Sequence, residues 1–154
     1  IDSAASSPSP SSSYYTTTQT DANFLAKAGG TMAGDLTLSN ASKLFVKRKD
    51  DTAITGAGNH TLDPGNGTFI KLGALSADGV LVGISGGADG RVLVVYNSDD
   101  TDELRVSHDS SAETTAGNRI YTTTAANVDI VARGTAMLIY DSAASRWVVI
   151  NISP

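Results

Sequence analysis

GRVLVVYNSDDTDELRVSHDSSAETTAGNRIYTTTAANVDIVARGTAMLIYDSAASRWVVINI, residues 90–152, is a series of short apolar or β-branched runs broken by small polar turns. The runs fall at 91–96, 103–107, 119–122, 128–131, 136–140 and 146–152, and no window holds a helical stripe longer than two turns. Upstream the same texture continues at 43–46, 52–54, 68–72 and 80–84. Turn-forming clusters separate most of them: 56–59, 64–67, 86–90, 97–100 and 141–145. Short strands about 8–12 residues apart are the pattern of an all-β sandwich or barrel. The expected fold for residues 41–154 is an antiparallel β-sandwich, jelly-roll-like. Asp89-Gly90 tolerates the positive φ of a tight turn and marks one hairpin. The runs at 136–140 and 146–152 mark a clearer one, with Asp141 and Arg146 placed to pair across its base. Gly83, inside an apolar run, points to a bulge or a close approach of another segment. Trp147, between Arg146 and Val148 in mid-strand, reads as core.

Residues 1–20, IDSAASSPSPSSSYYTTTQT, are mostly Ser, Thr and Pro. They offer too little apolar surface to offset ordering entropy and read as a linker or an extended shaft. Residues 21–40 contain one possible helical turn capped by Asp21, a Gly29-Gly30 break and an alternating Leu36, Leu38 pair. This stretch has too few apolar residues to fold alone, so it reads as a shaft or collar segment packed on other chains.

Composition narrows the function. The 154 residues carry a net charge of −5, with basic residues scattered, which argues against nucleic acid and anionic membranes as partners. There is no cysteine, hence no disulfide framework and no thiolate zinc site. No apolar run is long enough for a membrane helix. His60 and His108 have no ligand-type residues clustered about them, so no metal or other cofactor is expected. No serine sits in a nucleophile-elbow pattern, and the carboxylates at 99–103 look like a solvated turn rather than a glycosidase pair, so no enzyme is expected. The chain begins at Ile1 without a methionine, and is expected to be the C-terminal part of a longer polypeptide.

Two stretches resemble known families. Tyr15, Thr16, Asp21, Ala22, Phe24, Leu25, Gly29, Gly30, Thr31, Met32, Gly34 and Leu36 form an ordered set similar to a short module of bacteriophage tail fibres. Gly87, Gly90, Asn97, Leu104, His108, Asn118, Arg119, Ile120, Tyr140, Asp141, Arg146 and Trp147 resemble a β-sandwich domain near the C-termini of phage fibre and structural proteins. The resemblance implies an extracellular virion component: a homotrimeric fibre tip contacting a host cell-surface glycan or protein, and joined to other tail or baseplate proteins. The alternative it leaves open is a purely structural connector or head fibre. The longest polar loops, at 99–102 and 109–117, are the expected receptor contacts at one end of the sandwich. The candidate residues are Asp99, Asp100, Asp102, Asp109, Ser110, Glu113, Asn118 and Arg119.

Overall fold

The alternation of apolar and polar residues forms strands, but these strands do not pair as a sandwich would. In the computed structural model, which describes residues 45–153, the chain forms ten strands. They are β1 (Arg48–Asp51), β2 (Asn59–Leu62), β3 (Phe69–Leu72), β4 (Gly79–Ile84), β5 (Val92–Tyr96), β6 (Leu104–Val106), β7 (Ile120–Tyr121), β8 (Val128–Ile130), β9 (Thr135–Asp141) and β10 (Arg146–Ser153). The expectations for residues 1–40, and part of the expected strand at 43–46, lie outside the described residues.

Successive strands from β1 to β6 alternate between two sheets. One sheet has six strands in the order β1-β3-β5-β9-β10-β7, and the other has four, β2-β4-β6-β8. β1, β3 and β5 run parallel, as do β2, β4 and β6. The chain therefore winds as a parallel-rich β-solenoid of about four turns, and the antiparallel sandwich is overturned. Arg48 pairs with Phe69 and Phe69 with Val94, so one coil takes 21 residues and the next 25. The direction reverses only at the end, where β8 runs antiparallel to β6 and β9 runs antiparallel to both β5 and β10.

The alternation within each strand decides what fills the coil. Ile70, Val95 and Ala136 stack inward along one ladder of the six-stranded sheet, and Leu93, Leu138 and Val149 along the next. Leu104 and Ile130 face them from the other sheet. Trp147 is fully buried, donates its indole N–H to the Ile84 carbonyl at 2.8 Å and meets Tyr140 edge-on at 5.3 Å. Burying an indole without that acceptor would leave a costly orphan donor.

Aspartates make the corners. Asp51 accepts the backbone N–H groups of Ala53 and Ile54, Asp63 that of Gly65, Asp78 that of Glu103, and Asp141 those of Ala143 and Ala144. Each carboxylate satisfies amides that a change of direction would otherwise strand. Much of the acidic balance of the sequence is thus spent on turning the chain.

Local expectations fared unevenly. The hairpin of β9 and β10 forms. Asp141 and Arg146 stand opposite each other in it, but the Arg146 guanidinium pairs with Asp109 instead, at 2.9 Å. Gly90 does adopt a positive φ of 71°, yet β4 and β5 enter different sheets, so the turn is a coil corner and not a hairpin. The expected strand at 52–54 is a corner, and β1 and β2 form where none was expected, in a charged stretch and directly behind the turn-forming cluster at 56–59.

Candidate binding surface

Because strands alternate between sheets, consecutive connections leave from opposite edges of the solenoid. The β5–β6 connection (97–103) lies at one edge with the β3–β4 and β8–β9 connections: Leu75 donates its N–H to Asp99 Oδ2 at 2.9 Å, and Arg133 pairs with Asp100. The β6–β7 connection (107–119) lies at the other edge with the β9–β10 turn, joined by the Asp109–Arg146 pair. The two loops expected at a single end therefore lie apart. In a sandwich both could crown one end; in a coil two successive arcs cannot.

At the first edge the structure buries what the sequence offered for contact. Asp99 is 7% exposed, with Oδ1 accepting the N–H groups of Thr101 and Asp102 at 2.8 Å each. The N–H donors of Asp102 and Thr101 hold its carboxyl down at about 2, against the pull of burial. Asn97, fully buried, donates its amide to the Asp102 carbonyl at 2.9 Å and accepts the Asp99 N–H at 3.1 Å. The Asp102 backbone belongs to this knot from both sides. Asp100 projects outward, and Arg133 is its partner.

The second edge gathers Asp109, Ser110, Glu113, Asn118 and Arg119. Glu113 is buried beneath the arc, its Oε2 accepting the Thr61 hydroxyl at 2.5 Å and its Oε1 the Thr115 N–H at 2.8 Å. The Thr61 hydroxyl, then the Thr115 N–H and an Asn118 hydrogen bond, draw its carboxyl below the usual range although burial pushes upward. The carboxylate lies on Gly83, where a Cβ would come within 2.7 Å of Oε2. This is the close approach that a glycine within an apolar strand signalled, and a register shift in the β2–β4 ladder accompanies it. Ser110 closes the first turn of the arc by accepting the Glu113 N–H on its carbonyl at 3.2 Å. Arg119 donates Nε to the Glu113 carbonyl at 2.9 Å, and its Nη1 stands 4.0 Å from Asp109.

Beside this anchor lies a group not singled out from sequence. His108 stacks on Tyr121 at 5.5 Å, and the Arg146 guanidinium lies 5.3 Å from the centre of the same ring. Asp109, which holds Arg146, sits at a positive φ of 39°. The Thr122 N–H donates to His108 Nδ1 at 3.1 Å. The signal for the group was the pair of motif residues His108 and Arg146, both of which meet the ring of Tyr121.

The arc thus presents two layers. Beneath it the charged and aromatic groups bond to one another. Above it Ser111, Ala112, Thr114, Thr115 and Ala116 are exposed, small and uncharged. Such a rim, set on a fixed base, suits hydrogen bonding to hydroxyl-rich or peptide surfaces at low ordering cost. Among the described residues no group of three or more His, Asp or Glu side chains is placed to hold a metal, and no helix is long and apolar enough to cross a membrane. No protein-family model matches the chain, and no curated protein matches it.

Proposed function

We propose that this chain is a non-catalytic segment of a bacteriophage tail fibre, an extracellular virion part that contacts a host-surface glycan or protein. The observation that carries the reading is the long arc at 107–119, fastened underneath by Glu113 and Arg119 while its upper rim stays polar and open. A loop held by a buried carboxylate on a rigid coil is pre-organised, and a contact surface benefits from that. The fibre-like motif in residues 15–36 supports the virion context, with other tail or baseplate proteins as neighbours and homotrimeric assembly as in that family.

The test is binding of the labelled chain to intact bacterial cells, together with its competition against adsorption of the phage that carries it. We expect competition by the native chain and its loss, at least tenfold, when Thr114 and Thr115 are replaced by bulky lysines. Unchanged adsorption in the presence of saturating chain would remove the contact role. That result would leave the connector reading, which the structural use of Asp99 and Glu113 favours.

A further inference from the structure

Tyr96 ends β5 at the first edge of the solenoid, and it faces outward because Val95 before it is buried. Phe69 of β3 stacks beside it, with ring centroids 6.3 Å apart and planes 28° from parallel. Both rings are half-buried, so each keeps part of its surface open. Register sets Lys71 on one side of Tyr96 and Thr135 on the other. Asp50, across from Lys71 on β1, is taken by Arg48 at 2.7 Å, and Lys71 has no carboxylate partner among the described residues. Past the strand end, the Tyr96 hydroxyl and after it the Asp100 carboxylate raise the Arg133 guanidinium above its ordinary value. Arg133 is held there under backbone strain: its φ is 62°, and its N–H donates to the Asp99 carbonyl at 3.0 Å. Asn97 and Asp99, whose knot directly follows Tyr96, thus fix the ring and the guanidinium through one network.

We propose that this cluster binds a carboxylate-bearing sugar of an acidic polysaccharide, stacked on Tyr96 and Phe69 with its carboxylate on Lys71. One face of a pyranose ring is lined by C–H groups and packs on aromatic rings, while its hydroxyls and carboxylate lie around its rim. The cluster has the matching layout, with two rings in the middle and Lys71, Thr135 and Arg133 around them. Arg48, Lys71 and Arg133 stand here against Asp50 and Asp100, which leaves one cation in excess on a chain of net charge −5. A charge-assisted bond from Lys71 selects an acidic sugar over a neutral one. Other occupants match less well. A single spare cation does not neutralise a run of phosphates. An extended peptide pairs at an open strand edge, whereas β3, β5 and β9 each have a neighbour on both sides. The cluster lies away from the 107–119 arc, and only its biological setting rests on the host-contact reading above.

The experiment is affinity electrophoresis of the whole 154-residue chain through gels holding polygalacturonate or colominic acid, a polymer of sialic acid. Uncharged dextran and dextran sulfate serve as the comparison polymers. Retardation is expected from at least one of the two carboxylated polymers and not from dextran. Lys71→Gln and Tyr96→Leu are each expected to weaken binding about tenfold while the β-type circular dichroism is retained. Arg105→Gln, which removes an exposed cation from the other sheet, is expected to leave binding unchanged. Absence of retardation by both carboxylated polymers overturns the site. Retardation that survives either Lys71→Gln or Tyr96→Leu overturns it as well. Equal retardation by dextran sulfate, or equal weakening by Arg105→Gln, would reduce the binding to unspecific charge attraction and also overturn the proposal. None of these outcomes decides host contact by the arc, which the Thr114 and Thr115 substitutions test separately.

Discussion

The two sheets share one core yet present opposite exteriors. Outside the four-stranded sheet, Asn59, Val80, Arg105 and Asp129 form a mixed polar row, closed by an Arg105–Asp129 pair at 2.9 Å. Near its end Thr61 and Gly83 are covered by the arc that Glu113 fastens down. Outside the six-stranded sheet the rows Phe69–Val94–Met137 and Val92–Ile139–Val148 are apolar, with Val92 and Met137 exposed. Both exteriors obey the same two-residue period, so the contrast comes from what occupies the outward positions. Where the outward residues are charged or small, the chain supplies its own cover or meets water. Where they are large and apolar, burial by another surface is the favourable state.

The sharpest way to break the contrast is to substitute one residue on each exterior. Gly83→Val would drive a branched side chain into Glu113 and toward the Asn118 carbonyl, which stands 3.1 Å from an added Cβ. Overpacking there is expected to destabilise by about 1–3 kcal/mol in chemical denaturation. Val92→Thr on the outer face of the six-stranded sheet should stay within about 0.5 kcal/mol, as for a surface substitution. Equal losses at the two positions would mean that the six-stranded sheet is covered as well.

A smaller effect is expected from pH. Asp99 titrates at about 2 in the folded chain against an ordinary 3.8, and Glu113 lies below its ordinary 4.5. A depressed carboxyl contributes stability that is full above its unfolded value and is lost as pH falls through the folded one. The thermal midpoint should therefore hold steady above about pH 5 and fall steadily toward pH 2. Glu113→Gln should shrink that fall in proportion to its share. The smallest effect concerns Arg105. The exposed pair with Asp129 is screened and entropically costly, so Arg105→Ala should move the midpoint hardly at all, and not at all at high salt.

What the sequence disclosed was which way side chains face, and what it hid was which strands meet. Ile70 and Leu72, Leu93 and Val95, and Leu104 and Val106 each announce a strand with one buried side, because period two is a property of the single strand. Short strands at regular spacing are common to sandwiches and coils, so spacing could not choose between them. The discriminating signal was the recurrence at 25 residues that sets Gly79 on Leu104, Leu81 on Val106 and Ile70 on Val95. It is faint because the previous coil takes 21. β1 escaped notice because Arg48, Lys49, Asp50 and Asp51 look like a loop, although a marginal strand tolerates charge.

The candidate site was legible by location and misread by role. The polar arc at 109–117 is the long surface loop expected, but Glu113 and Arg119 spend their polar atoms holding it in shape. Asp99 looked solvated because its partners are backbone amides, those of Thr101 and Asp102 in its own turn and that of Leu75, which leave no trace in composition. Tyr121 could be read from sequence equally as core or as a sugar-stacking ring, since its neighbours His108 and Arg146 come from other parts of the chain.

The reversal at β8 and β9 has a consequence for how such a chain can change length. Up to β6 every coil hands an unfinished pair of edges to the next, so another unit of 21–25 residues could be spliced in without altering the pairing rule. β8 and β9 run against that direction and consume the edges of β6 and β5. Past this point a duplicated coil would find no parallel template. The turn-back works as a stop codon written in geometry: evolution can lengthen the solenoid from within, while its far boundary stays where the direction changes.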